Sequence, residues 1–141
     1  MKNTIRLSAV LLATTVLPVA AQSDVRMGER LYQENCASCH GANLEGQLDW
    51  RSRLPNGRLP APPHDASGHT WHHPDRVLFD IVKRGPAAIV GNGYESDMPG
   101  YEDVLTDDEI AAILAFIKST WPNRIRASQE SRSLADEQAQ P

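Results

Sequence analysis

The chain holds two cysteines, and both stand in one pentapeptide, Cys36-Ala37-Ser38-Cys39-His40. Nothing else in the sequence restricts its possible folds so tightly. Two thiols three positions apart, with an imidazole directly after the second, have the spacing C-x-x-C-H, the attachment signature for c-type haem. The chemistry explains the spacing. Each S–H adds across one vinyl group of the porphyrin, leaving two thioether bonds, and the adjoining histidine is held where it can ligate the iron. Three other readings compete. A thioredoxin-like redox pair expects a βαβ setting, and no alternating strand pattern occurs anywhere in the chain. A disulfide closing so short a loop would stabilise by only about 2 kcal/mol on loop-entropy reasoning, and it leaves His40 without a role. Zinc would want a second cysteine or histidine pair at suitable spacing. The motif points to one covalently bound haem c, with Cys36 and Cys39 as attachment points and His40 as an axial iron ligand.

The first 21 residues read as an export signal. Lys2 and Arg6 form a basic start, Leu7 to Val16 an apolar run, and Val19-Ala20-Ala21 a small-residue cleavage site. The apolar core, about ten residues, is too short to span a membrane, which needs roughly twenty. Cleavage after Ala21 would release a soluble, periplasmic chain beginning at Gln22, with no membrane span. That chain loses two of the 14 basic residues and none of the 18 acidic ones, for a formal charge of −6. Such a balance argues against nucleic acid, whose backbone calls for basic patches. It favours encounter with a basic partner surface.

Three helices are legible. The first runs from about Asp24 to Asn35, with Val25, Gly28, Leu31 and Tyr32 near one face. The second fits Pro74 to Arg84, with proline suited to a first turn, a stripe of Val77, Leu78, Ile81 and Val82, and Gly85 as the stop. The third opens on the capping box Thr106-Asp107-Asp108-Glu109, continues through Ile110, Ile113, Leu114, Ile117 and Trp121, and ends at Pro122. Between them, 41–73 contains four prolines and four glycines. A loop that long needs something besides its own secondary structure to order it, and a cofactor would fill that place. From residue 123 to 141 the chain turns to Arg, Ser, Gln, Glu and Ala and reads as a disordered C-terminal tail. The domain expected to fold is 22–122.

On these residues the chain resembles a class I cytochrome c of the small bacterial kind, mono-haem with His/Met ligation. The resemblance covers roughly Val25 to Trp121. It rests on Gly28 and Tyr32 in the first helix, on Cys36 to His40, on Met98-Pro99 in a late loop, and on Ala115-Phe116-Ile117-Lys118 in the last helix. It implies an all-α fold, about three to four short helices and long loops wrapped round one haem. It further implies a close crossing of first and last helices, permitted by Gly28 and adjoined by Phe116. The Pro- and His-rich stretch 55–74 is the least standard part.

A sixth iron ligand follows. A thioether is a soft, neutral donor, and after signal removal only Met27 and Met98 remain. Met27 lies on the first helix, just ahead of the attachment site, so Met98 is the expected distal ligand; Pro99 biases it toward extended backbone. By resemblance, a proline carbonyl from Leu59 to Pro63, Pro62 by preference, accepts from the second nitrogen of His40. Trp71 is a candidate donor to a haem propionate, Arg58 and Arg84 are candidate ion-pair partners for one, and Tyr94 and Tyr101 would line the pocket or bond a propionate. Trp50 is expected only to pack. His64, His69, His72 and His73 crowd into ten positions. A Pro- and Gly-bearing loop gives them no fixed face, so surface or propionate-facing roles are expected ahead of a copper or zinc site. The function expected is single-electron transfer between redox partner proteins, not an enzyme activity, as a soluble carrier or as the relay subunit of an oxidoreductase. The alternative is a haem enzyme or gas-binding sensor with an open distal site, and Met98 discriminates between them.

Overall fold

A computed structural model describes residues 19–140. Residues 1–18, most of the expected export signal, lie outside the described residues. Six α-helices and one 3-10 turn account for the regular structure, and there is no strand among the described residues. Helix α1 (Val19–Asn35) runs into the short α2 (Ala37–His40) through Cys36. The 3-10 turn (Thr70–His72) precedes α3 (Asp75–Arg84) and α4 (Pro86–Val90), and α5 (Asp107–Ser119) and α6 (Asn123–Gln138) complete the chain.

The core is the seam where α1 meets α5. Leu31, Tyr32, Ile110, Ile113, Leu114, Ile117 and Trp121 are buried there, with Leu44, Leu78 and Leu105 closing the same cluster. Gly28 makes the crossing possible. A Cβ built on it would stand 1.9 Å from the Ala112 carbonyl oxygen and 2.5 Å from its carbon, so only glycine lets the two backbones touch. Phe116 lies one turn along the seam, its ring 5.5 Å from that of Tyr32. At the start of α5 the capping box is complete: Glu109 N–H donates to Thr106 Oγ1 (3.3 Å), and Thr106 N–H donates back to the Glu109 carboxylate (2.9 Å).

Three elements depart from the sequence expectation. Helix α1 begins at Val19, five residues before Asp24, because Ala20 and Ala21 extend a helix readily. Helix α4 lies outside the three helices legible in the sequence. Gly85, at φ +81, stops α3, and Pro86 then occupies the first position of a new helix, where its missing N–H leaves nothing unpaired. The largest correction concerns residues 123–138, expected as a disordered tail and found as α6. Its docking face is polar, which is why a search for apolar periodicity passes over it. Fully buried Gln129 donates to Asp75 Oδ1 (2.6 Å) and to the His73 carbonyl (3.3 Å), and Ser133 Oγ accepts from Asp75 N–H (3.0 Å). Pro74 has no side-chain cap to offer α3, so Ser133 satisfies one of its first N–H groups from another element. Arg76 adds a forked pair with Asp136, and Ile125 packs on the core.

The long segment 41–73 is ordered by its own backbone. Gly46 N–H donates to His40 O (2.7 Å), Gln47 N–H to Ala61 O (2.9 Å), Leu54 N–H to Arg58 O (2.9 Å) and His64 N–H to Leu44 O (2.8 Å). Residues 47–61 thereby form a hairpin-like excursion, closed at its base and again near its tip. Close approaches at Gly46 and Gly68, where an added Cβ would strike the backbone of Pro63, explain why small residues punctuate it.

Candidate haem-attachment site

Cys36, Cys39 and His40 share one helical turn. Cys39 N–H (3.1 Å) and His40 N–H (2.9 Å) both donate to Cys36 O, so the three side chains sit at i, i+3 and i+4, neighbouring positions on a helix surface. Two tyrosines fix the ends of this turn. Tyr101 OH donates to Asn35 O and Tyr32 OH to Gly41 O, each at 2.8 Å. Burial above all pushes both phenols upward in pKa, so they keep the protons they donate.

The cysteines are free thiols, Cys36 half-buried and Cys39 exposed. Burial, reinforced by Cys39, pushes Cys36 up to about 11. A disulfide-exchange cysteine requires the opposite shift, since its thiolate is the reactive species. Burial of Cys36 and the lack of any strand among the described residues both oppose the thioredoxin-like reading.

His40 is buried, and its Nδ1 lies 2.8 Å from the Pro62 carbonyl oxygen. A carbonyl only accepts, so Nδ1 carries the hydrogen and the neutral ring's lone pair is on Nε2. Desolvation lowers the His40 pKa against the opposing pull of Pro62. The imidazole is thus neutral, oriented and in the tautomer that a metal ligand needs. His64 lies flat on it, ring centroids 4.0 Å apart and planes inclined by 22°. His64 is itself fixed by Thr70 Oγ1 (2.8 Å), and Trp121 Nε1–H donates to its carbonyl (2.8 Å). Burial holds His64 well below the ordinary imidazole value, so two neutral rings stack.

Met98 is half-buried, its N–H donating to Ser96 Oγ at 3.1 Å. Its loop is pinned to the end of α3. Tyr101 N–H reaches both Val82 O and Lys83 O at 3.0 Å, and Glu102 N–H reaches Lys83 O at 3.1 Å. Gly85 and Gly100 let the two backbones approach; a Cβ on either would come within 2.9 Å of the other strand of chain. Through its hydroxyl on Asn35, Tyr101 also joins the Met98 loop to the residue before Cys36.

Other expected residues divide. Trp71 is half-buried, its ring centroid 3.7 Å from that of His72 with the planes tilted by 31°, and its Nε1–H is buried without an acceptor. A buried unpaired donor is unfavourable by about 1–3 kcal/mol, and a cofactor carboxylate is the kind of group that would meet it. Of the two roles expected for Tyr101, its hydroxyl bond to Asn35 leaves the pocket wall rather than the propionate bond. Arg58 pairs with Asp97 and, at 3.5 Å, with Glu95, while its Nε, like Trp71 Nε1, is buried without a hydrogen-bond acceptor. Of the four clustered histidines, His64 lies inside the site. His69 stacks on Trp50 at 5.3 Å and meets His73 edge-on at 5.5 Å. Among the described residues no three metal-ligating side chains converge. The role of His64 was missed because stacking between residues 24 positions apart leaves no local pattern; the only signal was its place directly after Pro62-Pro63.

The residues therefore fit a haem by three independent features: thiols at the right spacing, a neutral imidazole with a free Nε2, and an orphaned buried donor. Comparison with known proteins agrees. The family profile described as cytochrome c matches residues 25–121. The chain is 31% identical over 70 residues to cytochrome c-555 of Prosthecochloris aestuarii, an overlap covering 45% of this chain and 71% of that protein. No solved structure matches. The chain belongs to the cytochrome c family, whose members carry covalently bound haem c and use it for electron transfer.

Proposed function

We propose that this chain is an exported, periplasmic one-electron carrier, or the relay subunit of an oxidoreductase, with Cys36 and Cys39 bound to the haem and His40 and Met98 as its axial ligands. The observation that carries the reading is the hydrogen bond from His40 Nδ1 to Pro62, which leaves Nε2 directed away from its only backbone partner and available to iron. Bound haem iron supplies the one-electron ferric–ferrous couple. The protein's own residues do the rest. Pro62 and His64 hold the proximal ring in one orientation. The pinned loop 96–101 presents the Met98 thioether, a neutral donor that favours the ferrous state. Trp71 offers its buried N–H to a propionate, and Tyr101 walls the site beside Asn35.

Export rests on the basic start, apolar run and small-residue site in residues 1–21. No helix of the described residues is long and apolar enough to cross a membrane. The acidic balance of the mature chain, 18 acids against 12 bases, favours electron donors and acceptors with basic docking faces.

Met98→Ala tests the ligand assignment. The oxidised protein should lose its sulfur-to-iron charge-transfer absorption, bind carbon monoxide when reduced, and fall in potential. Each tenfold change in the one-electron equilibrium corresponds to about 59 mV. Met27→Leu should change none of these. An unaltered spectrum and potential in Met98→Ala would remove Met98 as the ligand, leaving the sixth position to His64, His69, His72 or His73, or open to substrate or gas.

A further inference from the structure

The excursion 47–61 has a tip that reaches the Met98 loop. Its base adjoins Pro62, the acceptor for His40: Gln47 N–H donates to Ala61 O (2.9 Å), and Ala61 N–H returns to Gln47 Oε1 (2.9 Å). Its tip is tightened by Leu54 N–H to Arg58 O and by Arg53 Nη1 to Gly57 O (2.6 Å). From this tip the Arg58 guanidinium takes both acidic residues ahead of Met98. Nη1 bonds Asp97, and Nε lies 3.5 Å from Glu95. Arg53, Asn56 and Gly57 face Val90, Tyr94 and Glu95 across a cleft of about 460 Å³, and the Arg58 ion pairs with Asp97 and Glu95 cross between the two segments.

We propose that Arg58 is a positioning residue for the distal ligand, clasping the Met98 loop to the segment that orients His40. The reasoning builds on Met98 as that ligand. Asp97 is covalently next to Met98, so fixing its carboxylate restricts the backbone from which the thioether projects. Ahead of Met98 the backbone makes local bonds, Gly91 N–H to Ala87 O, Tyr94 N–H to Gly91 O and the Met98 amide to Ser96 Oγ, whereas the backbone ties to α3 follow Met98, at Tyr101 and Glu102. Arg58 supplies the tie on its preceding side. One cation against two carboxylates on a four-residue segment also removes the repulsion that Glu95 and Asp97 would otherwise exert on each other. The side chains are 36%, 67% and 57% exposed for Arg58, Glu95 and Asp97. Salt therefore screens the clasp, and its strength is that of a surface network.

The experiment uses the full haem-loaded protein and follows the rate at which added imidazole displaces the sulfur from ferric iron, together with the sulfur-to-iron absorption. Arg58→Gln should raise that rate about two- to fivefold at low salt, with the urea unfolding midpoint unmoved. Raising the salt to about 1 M should bring the wild-type rate up toward that of the variant. Asp97→Asn should act alike, the Arg58→Gln/Asp97→Asn pair should be no worse than either alone, and Arg58→Asp with Asp97→Arg should recover most of the wild-type rate. An unchanged rate in Arg58→Gln, in a wild type that shows the absorption, overturns the clasp alone. So does an increase that persists undiminished at high salt, or one that is additive in the pair. A wild type without the absorption overturns the Met98 assignment and the clasp with it.

Discussion

Gly28→Ala separates helix propensity from packing, because the two predict opposite signs. On propensity alone, alanine in a helix interior is better than glycine by about 0.5–1 kcal/mol. In the structure the new Cβ would stand 1.9 Å from the Ala112 carbonyl oxygen, about 1.5 Å short of ordinary contact, and both partners are backbone that cannot rotate aside. The helices must part by on the order of 1 Å. Five side chains around this seam, Leu31, Tyr32, Ile110, Ile113 and Ile117, are at most 4% exposed. At about 2 kcal/mol each for burial, roughly 10 kcal/mol depends on their contacts, and a gap of that width forfeits about a quarter of it. Offsetting the propensity gain leaves a net destabilisation of about 2 kcal/mol, within the range for overpacked interiors. Urea unfolding of the haem-loaded protein should show a midpoint lower by about 1 M at unchanged slope. Glu29→Ala, exposed on the same turn, should shift stability by less than about 0.5 kcal/mol. A Gly28→Ala midpoint equal to or above wild type would refute the account of the crossing.

Truncation after Pro122 should destabilise the protein by about 2–3 kcal/mol, since it strips Gln129 and Ser133 from the Asp75 and His73 groups they bond; calorimetry showing an unmoved midpoint would mean that α6 is not docked in solution. His69 and His73 are both lowered below 6.5, by burial first and by neighbouring cations second. The unfolded chain therefore takes up protons first as the pH falls, and stability present above about pH 6.5 declines below it. His69→Gln with His73→Gln should flatten the stability profile between about pH 7 and about pH 5, and an equally steep profile would exclude these groups as its source. Mass spectrometry of the exported protein should give an N-terminus at Gln22, whereas a chain retaining its first 21 residues would indicate an anchor.

Where a structural signal is local, it can be read along the chain. The capping box at Thr106 and Glu109 needs only residues three apart, and the helix it starts is found where the spacing puts it. The stop at Gly85 is equally local. Helix α6 escapes the same reading because its buried residues, Gln129 and Ser133, are polar. Nothing within residues 123–138 reveals that the Asp75 N–H and the His73 carbonyl are met from α6, and only docking makes Gln129 a core residue. Tyr101 shows the same limit in the site: its position beside Met98 left a pocket wall and a propionate bond both open, and only the fold turns its hydroxyl to Asn35.

The chemistry of attachment was therefore determined by sequence alone. Two thiols and an imidazole at i, i+3 and i+4 come together on any helical turn, because the spacing itself brings them to one side. What tertiary structure decided is the state and orientation of those groups. The Pro62 carbonyl that selects the His40 tautomer comes from 22 residues away, and the His64 ring that lies upon it is set by Thr70 and Trp121. The arginine that grips the loop before Met98 comes from 39 residues away. Hydrogen bonds, ring stacking and ion pairs act over a few ångströms of space without regard to sequence distance, so they become definite only when the chain has closed on itself.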